Sequence, residues 1–341
     1  VLGDVDGDGH LDLVAGNDEQ TNKLYLNDGS GGFAGTGTAI GSETDSSRSV
    51  VLGDVDGDGD LDLVAGNSGQ TNKLYLNNGS GGFTAGTGAA IGSDTDTDFT
   101  YSVVLGDVNS DGHLDLVAGN SNQTNKLYLN NKSGGFVSTG TAIGSDSETD
   151  LTFSVVLGDV DGDGHLDLVA GNNGTNKLYL NDGSGGFAGT GTAIGSETDY
   201  TFSVVLGDVD GDGDLDLVAG NDGQTNKLYL NGGSGGFTAG TGTAIGSETD
   251  ADSSRSVVLG DVDGDGDLDL VAGNSGQTHK LYLNDGSGGF ASTGTAIGSD
   301  TDADNTWAVV LGDVDGDGDL DLVTGNSGQT NKLYLNDGSG G

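Results

Sequence analysis

Apolar residues recur along this chain in short alternating runs that return about every fifty residues. In the second copy, the β-branched run Ser49–Val55 predicts a first strand, A, and Leu61–Gly66 predicts strand B. Lys73–Asn77 predicts strand C, and Phe83–Ile91 predicts a less apolar outer strand D after a glycine-rich hairpin turn. No segment has sustained helical periodicity, so the pattern predicts an all-β protein.

The repeat is marked by a block of sequence Asp-Val-Asp-Gly-Asp-Gly, with one variant in the third copy. The blocks begin at Asp4, Asp54, Asp107, Asp159, Asp208, Asp261 and Asp313. A period near fifty residues with four strands is typical of a propeller blade, and a four-stranded unit must stack on neighbours to bury both faces. We therefore predict a seven-bladed β-propeller with four antiparallel strands per blade. The alternative, a linear solenoid of Gly/Asp-rich calcium repeats, has repeats of about nine residues.

The spacing predicts a single domain over residues 1–341. Its blades span approximately 1–45, 46–98, 99–150, 151–199, 200–252, 253–304 and 305–341. Seven sets of strands A, B and C are visible, but only six D segments. We expect the last blade to have three strands in this sequence, or to be completed by residues outside it.

The composition is strongly acidic, with 54 acidic residues against 10 basic ones and a formal charge of −44. Such a surface repels nucleic acid and anionic membranes, so neither is an expected partner. No apolar run approaches the roughly 20 residues that span a bilayer. Without cysteine, the chain has no disulfides and no thiolate metal sites.

Half of the acids fall at one repeated spacing. In the loop Asp54–Asp62, carboxylates occupy positions 1, 3, 5 and 9, and position 7 offers a backbone carbonyl. Hard oxygen ligands at this spacing suit Ca²⁺, whereas Mg²⁺ demands a smaller octahedron and retains its waters. Position 12 is Ala65, so the loop is not an EF-hand, and Asp62 is predicted to close the cage in bidentate fashion.

We predict about seven calcium ions, one per blade, and a weaker third site because Asn109 replaces an aspartate. The predicted ligands, with position 7 counted for its carbonyl, are Asp4, Asp6, Asp8, His10 and Asp12; Asp54, Asp56, Asp58, Asp60 and Asp62; Asp107, Asn109, Asp111, His113 and Asp115; Asp159, Asp161, Asp163, His165 and Asp167; Asp208, Asp210, Asp212, Asp214 and Asp216; Asp261, Asp263, Asp265, Asp267 and Asp269; and Asp313, Asp315, Asp317, Asp319 and Asp321.

These residues resemble the FG-GAP and VCBS repeats of integrin α-subunit propellers, bacterial surface proteins and some fungal lectins. The shared motif is D-x-D-x-D-G-x-x-D, which maps onto Asp4, Asp6, Asp8 and Asp12 in the first blade and equivalently onward. The resemblance covers the whole chain and implies that the cage lies between strands A and B. The proline of the family's Gly-Ala-Pro element is missing here.

No catalytic signature stands out, and we predict that the chain is not an enzyme. Three of the four histidines occupy loop position 7, and His279 replaces an asparagine; all four are interpreted as solvent-exposed. The variable positions are more informative. Side chains that differ between blades stand six residues before the first cage aspartate, namely Arg48, Tyr101, Phe153, Phe202, Arg255 and Trp307. They are interpreted either as packing between blades or as the walls of a ligand site.

The preferred hypothesis is an extracellular or cell-surface, calcium-binding adhesion module that recognises glycans multivalently, or a cell-surface protein. Extracellular localisation follows from the family resemblance and the use of calcium. Two alternatives remain open, namely a purely structural or designed scaffold, and the accessory domain of a polysaccharide-processing enzyme.

Overall fold

The protein is described by a computed structural model that covers residues 1–83, 88–93, 96–145, 149–187, 189–233, 235–237, 242–247, 251–299 and 303–338. Within these residues the secondary structure consists of strands, turns and bends, without helices. No membrane-spanning helix is found in this part of the chain. The prediction of an all-β, seven-bladed propeller is confirmed, with three strands in the last blade.

The first three blades contain strands β1 (Leu2–Gly3), β2 (Asp12–Ala15), β3 (Asn22–Tyr25) and β4 (Thr38–Ile40); β5 (Ser47–Gly53), β6 (Asp62–Asn67), β7 (Lys73–Tyr75) and β8 (Ala89–Ala90); and β9 (Thr100–Gly106), β10 (Asp115–Asn120), β11 (Lys126–Tyr128) and β12 (Thr141–Ala142).

The last four blades contain β13 (Thr152–Gly158), β14 (Asp167–Asn172), β15 (Asn176–Tyr179) and β16 (Thr192–Ile194); β17 (Thr201–Gly207), β18 (Asp216–Asn221), β19 (Lys227–Tyr229) and β20 (Thr243–Ala244); β21 (Ser254–Gly260), β22 (Asp269–Asn274), β23 (His279–Tyr282) and β24 (Thr295–Ile297); and β25 (Thr306–Gly312), β26 (Asp321–Asn326) and β27 (Lys332–Tyr334).

Each blade is a meander in which consecutive strands pair in the order A, B, C, D. In the second blade, strand A begins at Ser47, earlier than predicted, and ends at Gly53, because the carboxylate of Asp54 accepts loop amides and draws the chain out of pairing. Of the predicted strand D, Phe83–Ile91, the residues Ala89–Ala90 pair with β7 and Ile91 donates to the carbonyl of Asn72 at 2.9 Å, and residues 84–87 lie outside the described residues.

The chain divides into two compact units. One comprises Val1–Leu157, Asn181–Thr190 and Val314–Gly316. The other comprises Gly158–Leu180, Gly191–Asp313 and Asp317–Gly341. Whether the whole chain acts as one domain with the predicted blade boundaries stays a prediction.

In the first unit, strand B of the second blade is buried on both faces. Leu63 and Ala65 pack towards the first blade against Val14, and Val64 packs towards the third blade against Leu116. Burying an aliphatic side chain of this size contributes about 1.5–3 kcal/mol. The alternation predicted from the sequence is therefore correct, and the stacking of blades buries both faces.

A ladder of buried polar side chains connects strand C of one blade to strand A of the next. In the first unit, Asn22 donates from Nδ2 to Ser47 Oγ at 3.0 Å, and Ser47 donates to Asn67 Oδ1 at 2.8 Å. The same bridge is formed by Asn72, Thr100 and Asn120. The polar atoms are thus satisfied inside the core, where an unpaired group would cost about 1–3 kcal/mol.

His279 belongs to this ladder in the second unit, and its interpretation as a solvent-exposed residue is wrong. The side chain is fully buried. Its Nδ1 accepts the amide of Asn274 at 3.1 Å, and its Nε2 lies 3.2 Å from Thr306 Oγ1. Because the Thr306 hydroxyl donates to Asn326 Oδ1, the network assigns the neutral tautomer with the proton on Nε2.

Candidate metal centres and the opposite face of the blades

The A–B loop of each blade folds around its own carboxylates. In the second blade, Asp54 Oδ1 accepts the amide of Gly57 at 2.7 Å, and Asp54 Oδ2 accepts that of Gly59 at 3.0 Å. Asp56 Oδ1 accepts the amide of Asp58 at 3.2 Å. Gly57 and Gly59 have φ values of 82° and 97°, which side chains rarely tolerate. The glycine-rich spacing therefore lets backbone amides hold the acidic side chains in one place.

The structure brings three carboxylates of a loop together in at least five of the blades, with one oxygen of each lying within 4.8 Å of the others. These groups are Asp4, Asp6 and Asp8; Asp54, Asp56 and Asp58; Asp159, Asp161 and Asp167; Asp208, Asp210 and Asp216; and Asp261, Asp263 and Asp265. Two of the groups include the aspartate at position 9, and three include the one at position 5. Ligation by these residues, and by the position-7 carbonyls, stays a prediction.

The aspartate at position 9 has a structural role of its own. Asp62 is fully buried, and its two oxygens accept the amides of Val55 at 3.0 Å and Asn77 at 2.8 Å. Burial raises the pKa of Asp62, although the two amides oppose the shift. Each carboxylate oxygen still has a second lone pair for a cation.

The asparagine that follows strand C ties the loop of its own blade to the loop of the preceding blade, a role that the sequence interpretation missed. Asn77 donates from Nδ2 to the carbonyl of Leu61 in its own loop at 3.1 Å and to that of Val5 in the first blade at 2.8 Å. We call this contact the asparagine latch. The other latches join Asn130 to Val55, Asn181 to Val108, Asn231 to Val160, Asn284 to Val209, Asn336 to Val262 and Asn27 to Val314. The only available signal was the recurrence of asparagine after Leu-Tyr-Leu in every copy.

The donor set fits a hard divalent cation. The Oδ1 atoms of Asp159 and Asp208 are buried without a hydrogen-bond partner. Burial, followed by the charges of Asp58 and Asp54, raises the pKa of Asp56. Ca²⁺ is bound in proteins by oxygen ligands such as carboxylates, and these crowded oxygens have no hydrogen-bond donor to neutralise them.

The third loop differs from the others at two positions, and the C–D turn beside it differs at a third. Asn109 replaces the aspartate at position 3, and its Oδ1 is buried without a hydrogen-bond partner. Ser110 replaces a glycine and keeps a left-handed φ of 57°. In the following C–D turn, Lys132 places its Nζ 3.0 Å from Asp111 Oδ2, and this ammonium lowers the pKa of Asp111.

The C–D turn lies beside the A–B loop, and the variable segments lie at the other end of the strands. Gly79 is so close to Asp60 that a Cβ there would come within 2.5 Å of the carboxylate. At the opposite end, the B–C turn residue Gly69 donates to the carbonyl of Asp98 at 2.8 Å. Gln123 accepts the amide of Phe99 at 2.6 Å. This end, which holds the B–C turns and the D–A connections, is called the variable face.

The six variable residues before the cages form two stacks, one in each compact unit. In the first unit, the Tyr101 and Phe153 rings meet edge to face at 5.3 Å, and the Arg48 guanidinium lies 6.0 Å from the Tyr101 centroid. In the second unit, Arg255 lies between two aromatic rings, 4.6 Å from the Phe202 centroid and 4.5 Å from that of Trp307. The packing interpretation is consistent with these contacts.

Aromatic side chains are nevertheless well exposed on the variable face. Phe99 and Tyr200 begin the strand-A segments of their blades and are 51% and 50% exposed, and Trp307 is 39% exposed. The intervening residues Thr100 and Thr201 are buried, so these rings lie next to side chains that point into the blades.

The comparisons with known proteins agree with this architecture. A family model described as FG-GAP-like repeat matches residues 4–65, 54–118, 107–170, 159–219, 208–272 and 261–324. Among curated protein sequences, none matches.

Solved propellers share the fold at low sequence identity. The BP39L lectin from Burkholderia pseudomallei has a TM-score of 0.67 at 11% identity, and the match covers 99% of this chain and 95% of that one. An Agrocybe aegerita lectin that recognises non-reducing terminal N-acetylglucosamine has a TM-score of 0.60 at 21% identity, over 87% and 79% of the two chains. BBS1N, solved in complex with ARL6DN, has a TM-score of 0.63 at 11% identity, over 98% and 90%. With the repeats matched along almost its entire length, the chain belongs to the FG-GAP-like repeat family.

Proposed function

We propose that this protein is a non-catalytic, calcium-stabilised binding module that works outside the cell and recognises glycans through its variable face. Its fold is that of propellers that include lectins, which fits a binding function. The described residues contain no helix that begins at a phosphate-binding glycine loop. The buried His279 is committed to the structural ladder.

Calcium is supported by the chemistry of the cages. Loop amides hold the carboxylates of the cages close together. In two blades, one carboxylate oxygen is buried without a hydrogen-bond donor. Through the asparagine latch, the carbonyl beside the first cage aspartate is fixed to the neighbouring blade. When bound, calcium would supply the positive charge that the crowded carboxylates need, and the loop would then hold the latch carbonyl in place.

The observation that carries glycan recognition is the position of the exposed aromatic side chains. Phe99, Tyr200 and Trp307 all lie on the variable face, where neighbouring blades differ in sequence. Large, rigid rings with a polar edge are common in recognition sites, and the apolar C–H faces of sugars stack on them. Loops held on a rigid scaffold are also where binding residues concentrate.

The test is a glycan array probed with the calcium-loaded chain and with Tyr200→Ala and Trp307→Ala variants. We expect each variant to lose at least tenfold in affinity for a bound glycan, and the Tyr200 variant to keep a melting temperature near that of the parent. Phe153→Ala is a useful control, because Phe153 packs in the stack of the other unit. Unchanged binding with a lower melting temperature in the Tyr200 and Trp307 variants would contradict the proposal.

A structural scaffold is the second candidate, because Arg48, Tyr101 and Phe153, like Phe202, Arg255 and Trp307, contact one another. If the protein is only a scaffold, we expect no binding on the array in calcium, and we expect replacement of each of these six residues by alanine to change only the stability. Equilibrium dialysis with ⁴⁵Ca²⁺ tests the metal separately, with about seven ions per chain expected.

A further inference from the structure

Asparagine is followed directly by glycine at three places in this chain, at Asn78, Asn173 and Asn231. An asparagine in this dipeptide is prone to lose ammonia, because a glycine amide reaches the preceding carboxamide without hindrance from a side chain. The structure places the three in different surroundings. Asn173 follows β14 and Asn231 is the latch of the fifth blade, whereas Asn78 is exposed in the C–D turn of the second blade.

The amide of Gly79, which is the nucleophile in such a reaction, has no acceptor among the described residues. At this position of the other six blades, the amide donates to the side-chain oxygen of the latch asparagine. The donors there are Gly29, Lys132, Gly183, Gly233, Gly286 and Gly338. In the second blade, the amide of Asn78 donates to Asn77 Oδ1 instead, at 2.8 Å. No hydrogen bond therefore has to break before Gly79 can attack.

The turn around Asn78 is also closed by fewer hydrogen bonds than its counterparts. In the first and third blades, Asp28 and Asn131 donate their amides across the turn to the carbonyl four residues later, at 2.9 and 2.8 Å. Asn78 makes no such bond within the described part of the chain, because its amide is on Asn77. Exposed segments with few backbone hydrogen bonds rearrange at little cost in free energy. The turn can thus reach the conformation for ring closure without unfolding the blade.

The carboxamide of Asn78 is held in a way that favours attack on its carbon. The hydroxyl and the amide of Ser80 donate to Asn78 Oδ1 at 2.8 and 3.2 Å. Donors placed on this oxygen stabilise the negative charge that develops there when the carbon is attacked. In the third blade, Asn131 Nδ2 donates to the carbonyl of Phe136 at 3.3 Å, whereas Asn78 Nδ2 has no acceptor among the described residues. The leaving nitrogen is therefore unrestrained.

The other two dipeptides are restrained in the second compact unit. Gly174 donates its amide to the carbonyl of Asp199 at 2.9 Å. Asn231 is 3% exposed, and its Nδ2 donates to the carbonyls of Val160 at 2.7 Å and Leu215 at 3.2 Å. Reaction at either place requires these hydrogen bonds to open first.

We propose that Asn78 is a site of spontaneous deamidation in the folded protein. Hydroxide removes the amide proton of Gly79, and the nitrogen attacks Asn78 Cγ. The new N–Cγ bond closes a succinimide ring as the Cγ–Nδ2 bond breaks, and the leaving nitrogen takes a proton from water to depart as ammonia, which regenerates hydroxide. Water then opens the ring. Attack at Cγ gives aspartate, and attack at the backbone carbonyl gives isoaspartate.

The two products differ in how they fit the turn. Aspartate already occupies this place in the first blade, where Asp28 accepts the Ser30 hydroxyl at 2.7 Å and the Gly32 amide at 3.1 Å. Isoaspartate adds a methylene group to the main chain and so displaces Gly79, where a Cβ would already come within 2.5 Å of the Asp60 carboxylate. Either product adds a negative charge beside the second cage.

The test ages the intact 341-residue chain in calcium at mildly alkaline pH and follows deamidation by mass spectrometry of tryptic peptides. The three dipeptides lie on separate peptides, which cover residues 74–126, 133–177 and 228–255. We expect Asn78 to react at least about tenfold faster than the other two, which react only through local opening. Fragment ions locate the modification and distinguish isoaspartate from aspartate. In the chain unfolded in urea, all three should react at similar rates.

Two variants separate the chemistry from the fold. Gly79→Lys gives this turn the dipeptide of the third blade, where Lys132 keeps a φ of 59°, so the variant should fold and remain unmodified at Asn78. Ser80→Ala removes a donor to the carboxamide oxygen and should slow the reaction severalfold at the parent's melting temperature. The proposal is overturned if Asn78 in the folded chain reacts no faster than Asn173 or Asn231, or if either variant reacts at the parent's rate.

Discussion

The second and third blades are close copies in sequence, yet their cages balance charge in different ways. In the second cage, burial and the neighbouring carboxylates of Asp58 and Asp54 raise the pKa of Asp56. In the third cage, an amide occupies the matching position, at Asn109, and the Lys132 ammonium lies 3.0 Å from Asp111. One cage is thus crowded with anions, and the other contains a cation of its own.

The comparison of the two blades shows that the charge of the cage and the charge of the C–D turn beside it change together. The exchange of aspartate for asparagine removes one negative charge, and the exchange of glycine for Lys132 adds one positive charge. Both exchanges act in the same direction, although they lie in different loops. The two loops contact each other in both blades, so we expect the third blade to depend least on calcium.

The largest expected effect is that of removing calcium altogether. A ligand that binds only the folded state adds about 2.7 kcal/mol per site at a hundredfold excess over its dissociation constant, so seven sites provide on the order of 20 kcal/mol as an upper bound. EDTA should therefore lower the melting temperature steeply in a calorimetric scan, and calcium but not magnesium should restore it. A transition that is unchanged by the chelator would contradict the calcium assignment in every blade.

The next effect concerns the asparagine latch, which is the same in both blades. Asn77→Ala and Asn130→Ala each leave two backbone carbonyls without their side-chain donor, at a cost of about 1–3 kcal/mol per buried unsatisfied group. Denaturant unfolding in saturating calcium should give similar losses for the two variants. A loss in only one of them would mean that the blades differ in packing as well as in cage charge.

The expected difference in calcium affinity between the second and third cages can be reversed by exchanging their residues. Asp56→Asn should weaken calcium binding at the second site about tenfold, since a charged ligand becomes a neutral one. The double variant Asn109→Asp with Lys132→Gly should strengthen the third site by at least as much, because it restores the carboxylate and removes the competing ammonium. Calcium titration calorimetry measures both changes. Equal affinities for the parent and the double variant would show that cage charge does not set the difference.

The smallest effect isolates the backbone of the third loop. Ser110 has a φ of 57° where the other loops have glycine, and Ser110→Gly should stabilise the chain by about 1 kcal/mol by relieving left-handed strain. The reciprocal variant, Gly57→Ser, should destabilise the second blade by a similar amount. Because the change does not touch a carboxylate, the gain should be the same in EDTA and in calcium, as thermal unfolding can check.

The repeat period, the strand order and the proximity of the cage carboxylates could be predicted from the sequence, because each depends on local spacing. Asp54, Asp56 and Asp58 meet since they belong to one short loop. The latch and the ladder depend instead on partners in a neighbouring blade, such as Asn77 with Val5. The sequence does not distinguish an asparagine in the buried ladder from one in a surface turn. Because His279 replaces such an asparagine, its burial could not be predicted either.

The pairing of Lys132 with Asp111 was missed for a related reason. The two residues lie in separate loops of the third blade, and only the return of the chain after strand C brings them together. The two aromatic stacks were open to either interpretation, because the period of the sequence places Tyr101 and Phe153 on equivalent positions of different blades without saying whether their rings touch.

The latch has a consequence for how such a chain arises. Every junction that it secures uses the same donor, an asparagine after strand C, and the same acceptor, the carbonyl of a loop valine. A copied gene segment of one period therefore brings a matching donor and acceptor with it, and both of its new neighbours already carry the counterparts. Unequal recombination can thus duplicate, remove or shuffle units without any compensating change, and the point differences in each unit remain free to diverge.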